Sequence, residues 1–249
     1  MSHRTFLIVA LVMASAAISS GWGTQTDRIS VEDGRPVASA IKSLETRFGR
    51  AITYEDPPLV HPDDTLDVTE SVRRDLQNYA PGKAPRVIVP RGGELSVEFG
   101  RDARVEVVFT QVLSEFTSIS PSTAFRIEET NGIIHVIPHS MKGPTGETIP
   151  VHSILDAPVQ LPAQERNGIE LLEAWAKAVS TSSKQQILIG GAPTNTVLPY
   201  KDDRGLSSSN ARDAMTEILS RIGKRNKLSW QLLYSPGQKV YFMNIHIVR

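Results

Sequence analysis

Four side chains between His61 and Asp67 are of the types that ligate a divalent cation: the imidazole of His61 and the carboxylates of Asp63, Asp64 and Asp67. Carboxylate and imidazole donors in one segment suit such an ion. Their spacing is not that of an EF-hand loop, which needs alternating Asp or Asn, a glycine and a terminal Glu. Aspartate also gathers in loops because it caps turns, so no metal ligand is assigned here. Glu55 and Asp56 form a second acidic pair, of the type used in two-carboxylate glycoside hydrolysis. Adjacent positions define no useful separation between the two groups, and no catalytic residue is assigned to them. His135 and His246 each sit among apolar residues, the setting of a histidine held in a sheet and not of a general base beside its acid. Gly190-Gly191 after a strand-like run resembles a phosphate loop but lacks the Gly-Lys-Ser/Thr ending. The sequence contains no G-x-S-x-G, H-E-x-x-H or Walker motif, and no cysteine to serve as a nucleophile. No cofactor is implied.

The densest aromatic group lies near the C-terminus, in Trp230, Tyr234, Tyr241 and Phe242. Cross-strand packing in a core accounts for such a group. An exposed binding face does so too, because aromatics concentrate at interaction hot spots. These four are the candidate binding residues.

The elements that carry these residues form one series that occurs twice. In the first half, Arg28 to Val31 reads as a strand, and Val37, Ile41, Leu44 and Phe48 fall at helical spacing before Gly49, a left-handed cap. Ala51 to Tyr54 reads as a strand stopped by Pro57-Pro58. After a polar insertion, Arg86–Val89 and Leu95–Phe99 read as a hairpin turned at Arg91-Gly92-Gly93. Val105, Val108, Phe109, Val112, Leu113 and Phe116 make one helical stripe. A hairpin through Asn131-Gly132 closes the half. In the second half, Ile169 to Val179 is helical, Gln186 to Ile189 is a strand, and residues 190–210 are an insertion. A helix follows with Ser209 as its expected N-cap and Gly223 as its C-cap. The chain ends in a hairpin through Pro236-Gly237. The last stripe leucine and the following strand aromatic are 12 residues apart in one half (Leu113, Phe125) and 11 in the other (Leu219, Trp230). The expected class is mixed α+β, with an internal duplication in two small domains, residues 28–138 and 150–249, joined by a Gly/Pro/Ser/Thr linker at 139–149.

Residues 1–21 read as a cleavable secretory signal: Arg4, an apolar run from Phe6, then small residues with an A-x-A-like site at Ala14-Ser15-Ala16. Phe6 to Ile18 would span about 20 Å as a helix, short of a hydrocarbon core of roughly 30 Å. The absence of cysteine excludes a lipid-modified N-terminus and disulfides. The 27 basic and 27 acidic residues balance, and loss of Arg4 with the leader leaves one acid in excess. No basic tract suits nucleic acid or anionic lipid; Lys224-Arg225-Asn226-Lys227 sits where a helix ends and complements its dipole.

Pro36 to Leu44 and Phe48 to Tyr54, with Ala211 to Ile247 in the second half, resemble the short domain found at the N-terminus of secretins and TonB-dependent receptors. That resemblance implies two helices packed between small sheets, and a small extracytoplasmic interaction module. The expected function is therefore a non-catalytic, periplasmic or secreted protein that contacts an extracytoplasmic protein partner, binds no nucleic acid and keeps no stable membrane anchor after cleavage. The alternatives are an exported hydrolase with catalytic groups in the insertions 59–85 and 190–210, and a small-ligand binder using the cleft between the halves.

Overall fold

The computed structural model describes residues 25–249; the expected leader, cleavage site included, lies outside the described residues. The first half runs β1 (Thr26–Asp33), α1 (Pro36–Phe48), β2 (Ile52–Glu55), β3 (Thr65–Asp67), the one-turn α2 (Thr69–Val72), β4 (Ile88–Pro90), β5 (Gly93–Gly100), α3 (Val105–Ile119), β6 (Ala124–Thr130) and β7 (Ile133–Lys142). The second runs β8 (Thr148–Pro150), β9 (Val159–Leu161), β10 (Arg166–Asn167), α4 (Gly168–Ser183), β11 (Ile187–Gly191), the one-turn α5 (Thr194–Val197), β12 (Lys201–Asp202), β13 (Leu206–Ser208), α6 (Ala211–Ile222), β14 (Leu228–Ser235) and β15 (Val240–Ile247). The class is mixed α+β.

Local chemistry explains the helices. Pro36 occupies the first turn of α1, where its missing N–H costs nothing, and Gly49 ends the helix in the left-handed region at φ 61°. Asn167 and Glu170 form a reciprocal capping box on α4. The α6 cap is Asn210, whose side chain accepts from Asp213 N–H, not the neighbouring Ser209. Asn ranks with Ser as a cap, and here it holds the extended backbone that a cap requires.

A seven-stranded sheet follows the order β11-β15-β14-β2-β7-β6, with β8 added on β7. Separate two-stranded sheets pair β1 with β5 and β9 with β13. In the first half α1 and α3 pack between β1–β5 and β2-β7-β6, around Ile41, Leu95, Phe109 and Val136. In the second, α4 and α6 pack between β9–β13 and β11-β15-β14, around Trp175, Met215, Trp230 and Met243.

The halves meet where β14 pairs parallel with β2, Gln231 beside Tyr54 and Leu232 beside Glu55. Residues paired across a sheet share a face, and successive residues alternate. Tyr54 and Gln231 therefore face α1, and Gln231 Nε2 donates to Ala38 O at 2.9 Å. Glu55 and Leu232 face α6. The helices of the two halves thus cover opposite faces. In strand order and direction, the second half repeats the first after a half-turn about the line running across the strands.

Two expectations change. Residues 86–99 are not a hairpin: β4 pairs with β3, and β5 pairs with β1 along Thr26–Asp33. Both faces of β5 suit either partner, and Gly92, at φ 60°, turns the chain from one sheet to the other. The segment 139–149 is a hairpin and not a free linker, because β7 continues to Lys142 and β8 pairs back with Ser140–Lys142. Glycine, proline and small polar residues are as characteristic of turns as of linkers. Among the described residues no helix is long and apolar enough to cross a membrane.

The sheet has two outer strands, and they differ. At β11 the outward N–H of Ile187 donates to Ser180 Oγ of α4 at 2.9 Å, and the hydroxyl donates to Ala176 O at 2.7 Å. Among the described residues no side chain covers the outward backbone groups of β6 in this way. Ser180→Ala is expected to lower stability by about 1 kcal/mol, the net worth of one hydrogen bond, read as a shift in urea midpoint at constant m. An unchanged midpoint would show that the hydroxyl is not engaged.

Candidate functional site

At the end of β2 the chain presents Tyr54, Glu55 and Asp56 before Pro57-Pro58 stops the strand. Strand alternation sends the two acids to opposite faces. Glu55, 2% exposed in its side chain, accepts from Arg212 Nε of α6 at 2.6 Å and from Ser153 Oγ. Arg212 Nη2 also reaches Asp156 at 2.9 Å. Asp56 accepts from Arg35 Nε at 2.6 Å and from the Tyr234 N–H at 2.9 Å. Burial raises both carboxyls, and the guanidinium beside each one opposes that rise. These groups are fully engaged in joining β2 to β14 and α6, so the pair holds the halves together and leaves no free acid for glycoside chemistry.

Beside Asp56 opens a cleft of about 330 Å³. Tyr54, Phe116 and Phe125 line it with aromatic rings, their centroids 5.6 Å (Tyr54–Phe125) and 5.8 Å (Phe116–Phe125) apart. Three elements contribute these rings: β2, the C-terminal turns of α3 and the start of β6. Val37, Leu59 and Ile119 extend the apolar lining. The rim carries Arg35, Asp56, Asp63, Asp64, Arg91 and Lys142. Most of these charges are paired within the rim. Lys142 Nζ lies 3.0 Å from Asp63 Oδ2, and Arg91 Nε donates to the Asp63 carbonyl at 2.5 Å. Asp64 is half-buried, and burial raises its carboxyl. The bend at Gly92 closes one wall; a Cβ there would lie 1.9 Å from Asp33 O, so only glycine permits the approach.

The acidic segment first considered as a metal site serves the turns around this rim. His61 Nδ1 accepts from Asp63 N–H at 3.1 Å, capping the turn Pro62–Asp64. Asp67 accepts from the Thr69 N–H and pairs with Arg86 at 2.6 Å; the hydrogen bonds of Thr69 and the Arg86 charge hold its carboxyl down at about 2. Among the described residues no group of three or more His, Asp or Glu is placed to hold a metal ion.

His135 is buried, with Nδ1 2.8 Å from Thr53 Oγ1, and burial lowers its pKa to about 4. It is therefore neutral at pH 7. His246 Nε2 lies 2.6 Å from Glu45 Oε2, whose other oxygen accepts from Ile52 N–H. Both histidines belong to sheet packing. Gly190 and Gly191 are the last residues of strand β11 and lie against the Asn244 side chain of β15, not in a loop leading into a long helix. In the second insertion, Asp202 accepts from Arg204, Arg221 and Tyr200, and the hydrogen bonds from Arg204 and Tyr200 hold its carboxyl far below the usual range.

The candidate binding residues of the last hairpin need correction. Trp230, Tyr234 and Tyr241 are 1%, 7% and 3% exposed and fill the second core, with the two tyrosine rings 5.0 Å apart. Phe242 alternates to the other face and is half-buried. Strand alternation beneath α4 and α6 puts three of the four out of a partner's reach. The junction between the halves is also packed: the hole bounded by Glu55, Asp56, Leu232 and Tyr241 measures about 10 Å³, the size of one water. The cleft that does exist lies inside the first half. Its rings were legible only as strand and stripe residues, and the one signal pointing to them was the run of prolines, Pro57, Pro58, Pro90 and Pro121, that interrupts the elements around it. No protein-family model, curated protein or solved structure matches the chain.

Proposed function

We propose that this is an exported, non-catalytic binding protein that contacts an extracytoplasmic protein partner, whose apolar side chain enters the cleft over Tyr54, Phe116 and Phe125. The observation that carries this reading is the combination of an aromatic floor with a rim whose charges pair with one another. Such a site removes apolar surface from water, while Arg35–Asp56 and Lys142–Asp63 spend their charges on each other. A volume of about 330 Å³ is at the small end for a ligand pocket and suits one large side chain. The resemblance of Pro36–Tyr54 and Ala211–Ile247 to the secretin and TonB-receptor short domain is the second ground for proposing an interaction role.

Ile119 is 40% exposed and lines the cleft, whereas Leu198, 55% exposed, lies in the other half. With a photo-crosslinking residue at each position in the living source cell, Ile119 is expected to capture one discrete protein and Leu198 none. Against that captured protein, Ile119→Asp is expected to weaken binding roughly tenfold without moving the melting temperature. Equal capture from both positions, or turnover of a small substrate lost in Asp64→Asn, would overturn the reading. Asp64 is the one observation favouring the hydrolase, since a carboxyl raised by burial in a cleft suits an acid.

A further inference from the structure

We infer that β6 is a self-pairing edge through which two copies of this protein associate about a two-fold axis, forming one continuous sheet. Strand β6 ends the sheet beyond β7, and its backbone polarity can be read from its neighbours. Ile134 N–H donates to Ala51 O on the β2 side of β7, so Ile133 and His135 direct their backbone groups toward β6. Their partners there are Thr130 and Glu128. The closing turn agrees: Asn131 and Gly132 both have positive φ, 54° and 74°, the type I′ geometry in which the flanking pair is hydrogen-bonded. The residues between, Ile127 and Glu129, therefore turn their N–H and C=O groups outward.

An antiparallel pair of two β6 strands centred on Ile127 uses these outward groups. It sets Ile127, 44% exposed, against Ile127 of the second copy. It also sets Arg126 directly across from Glu128 of the second copy, and Glu128 across from Arg126. Those are non-hydrogen-bonded positions, where facing side chains come closest. The two ion pairs are reciprocal, as a two-fold interface demands. Within one copy Arg126 Nε already lies 2.9 Å from Glu128 Oε1 on the same face, so both charged ends project together from the strand. Asp156, 3.7 Å from Arg126, is the other carboxylate near that face.

Registers two residues away lose this match. Centring on Glu129 opposes two glutamates, and centring on Phe125 runs into the irregularity between Ala124 and Phe125. Charges on an outer strand ordinarily repel other strands. Here the signs are placed so that a second copy of the same strand in this register meets each charge with its opposite. The contrast with β11, whose outward Ile187 N–H is covered by Ser180, favours the same edge independently.

Sedimentation velocity over a concentration series of the mature protein tests this. A reversible monomer–dimer equilibrium is expected. Arg126→Glu and Glu128→Arg should each raise the dimer Kd roughly tenfold or more, and the double swap R126E/E128R should restore it to near the original value. Ile127→Pro removes an outward N–H and should abolish the dimer while leaving circular dichroism unchanged, because proline is tolerated on an outer strand. If R126E also unfolds the monomer, E128R and I127P decide. A protein that stays monomeric at every concentration, a dimer unaffected by I127P, or open-ended polymers would each overturn the inference.

Discussion

Arg212→Met is expected to destabilise the protein by about 3–5 kcal/mol at neutral pH, the range for removing one partner of a buried ion pair. Arg212 and Glu55 are 5% and 2% exposed, and among the described residues Arg212 is the cation that offsets the burial of Glu55. The pH dependence distinguishes this from simple loss of packing. Burial already raises Glu55, and Arg212 opposes the rise. Without Arg212 the folded-state pKa moves further above the unfolded value, so the folded protein retains a proton that the unfolded chain releases. A group of that kind favours the folded state fully below the unfolded pKa, and its contribution is lost as pH rises toward the folded pKa, by up to about 1.4 kcal/mol per pH unit. Urea denaturation of the variant should therefore show a much smaller deficit near pH 5 than near pH 8. A deficit independent of pH would mean that Glu55 is not the group left behind. Glu55→Gln in the Arg212→Met background should recover much of the loss, because a neutral amide is cheaper to bury than a carboxylate.

Phe109→Ala is expected to cost about 3–5 kcal/mol, the range for truncating a fully buried aromatic. Its second consequence concerns the other half. Trp175 and Trp230 both lie in the second core, and Trp22 can be replaced by Phe so that fluorescence reports that core alone. The halves share a sheet and are joined by Gln231 to Ala38, Ser229 to Ile52, His246 to Glu45 and Tyr234 to Asp56. The tryptophan transition should accordingly move with the first half in one cooperative step. A tryptophan midpoint unmoved by Phe109→Ala would mean that the second half unfolds by itself.

The helices were legible because their determinants are local. The stripe from Val105 to Phe116, the Gly49 cap and the Asn131-Gly132 turn each act within a few residues. Pairing partners were not legible. The alternation in Leu95–Phe99 suits any neighbouring strand, and only the three-dimensional fold selects β1. The parallel joint between β14 and β2 has no local signature, since it aligns residues 177 positions apart. The cleft was hidden for the same reason, as Tyr54, Phe116 and Phe125 come from three elements. Glu55, Asp56 and Arg212 were unreadable on different grounds. Charged residues are seldom fully buried, so their types suggest solvent until a partner is known.

The half-turn between the two halves bears on how long such an array can grow. The internal joint brings the outer side of the first hairpin strand (β14) against the outer side of the strand that follows the first helix (β2). The sheet's two ends expose the same two kinds of edge, β6 and β11, so the joining rule inside the chain would fit one molecule onto the next without closure, and a contact that does not close builds fibres. Ser180 occupies the outward N–H of Ile187, a backbone donor that such growth at β11 would need.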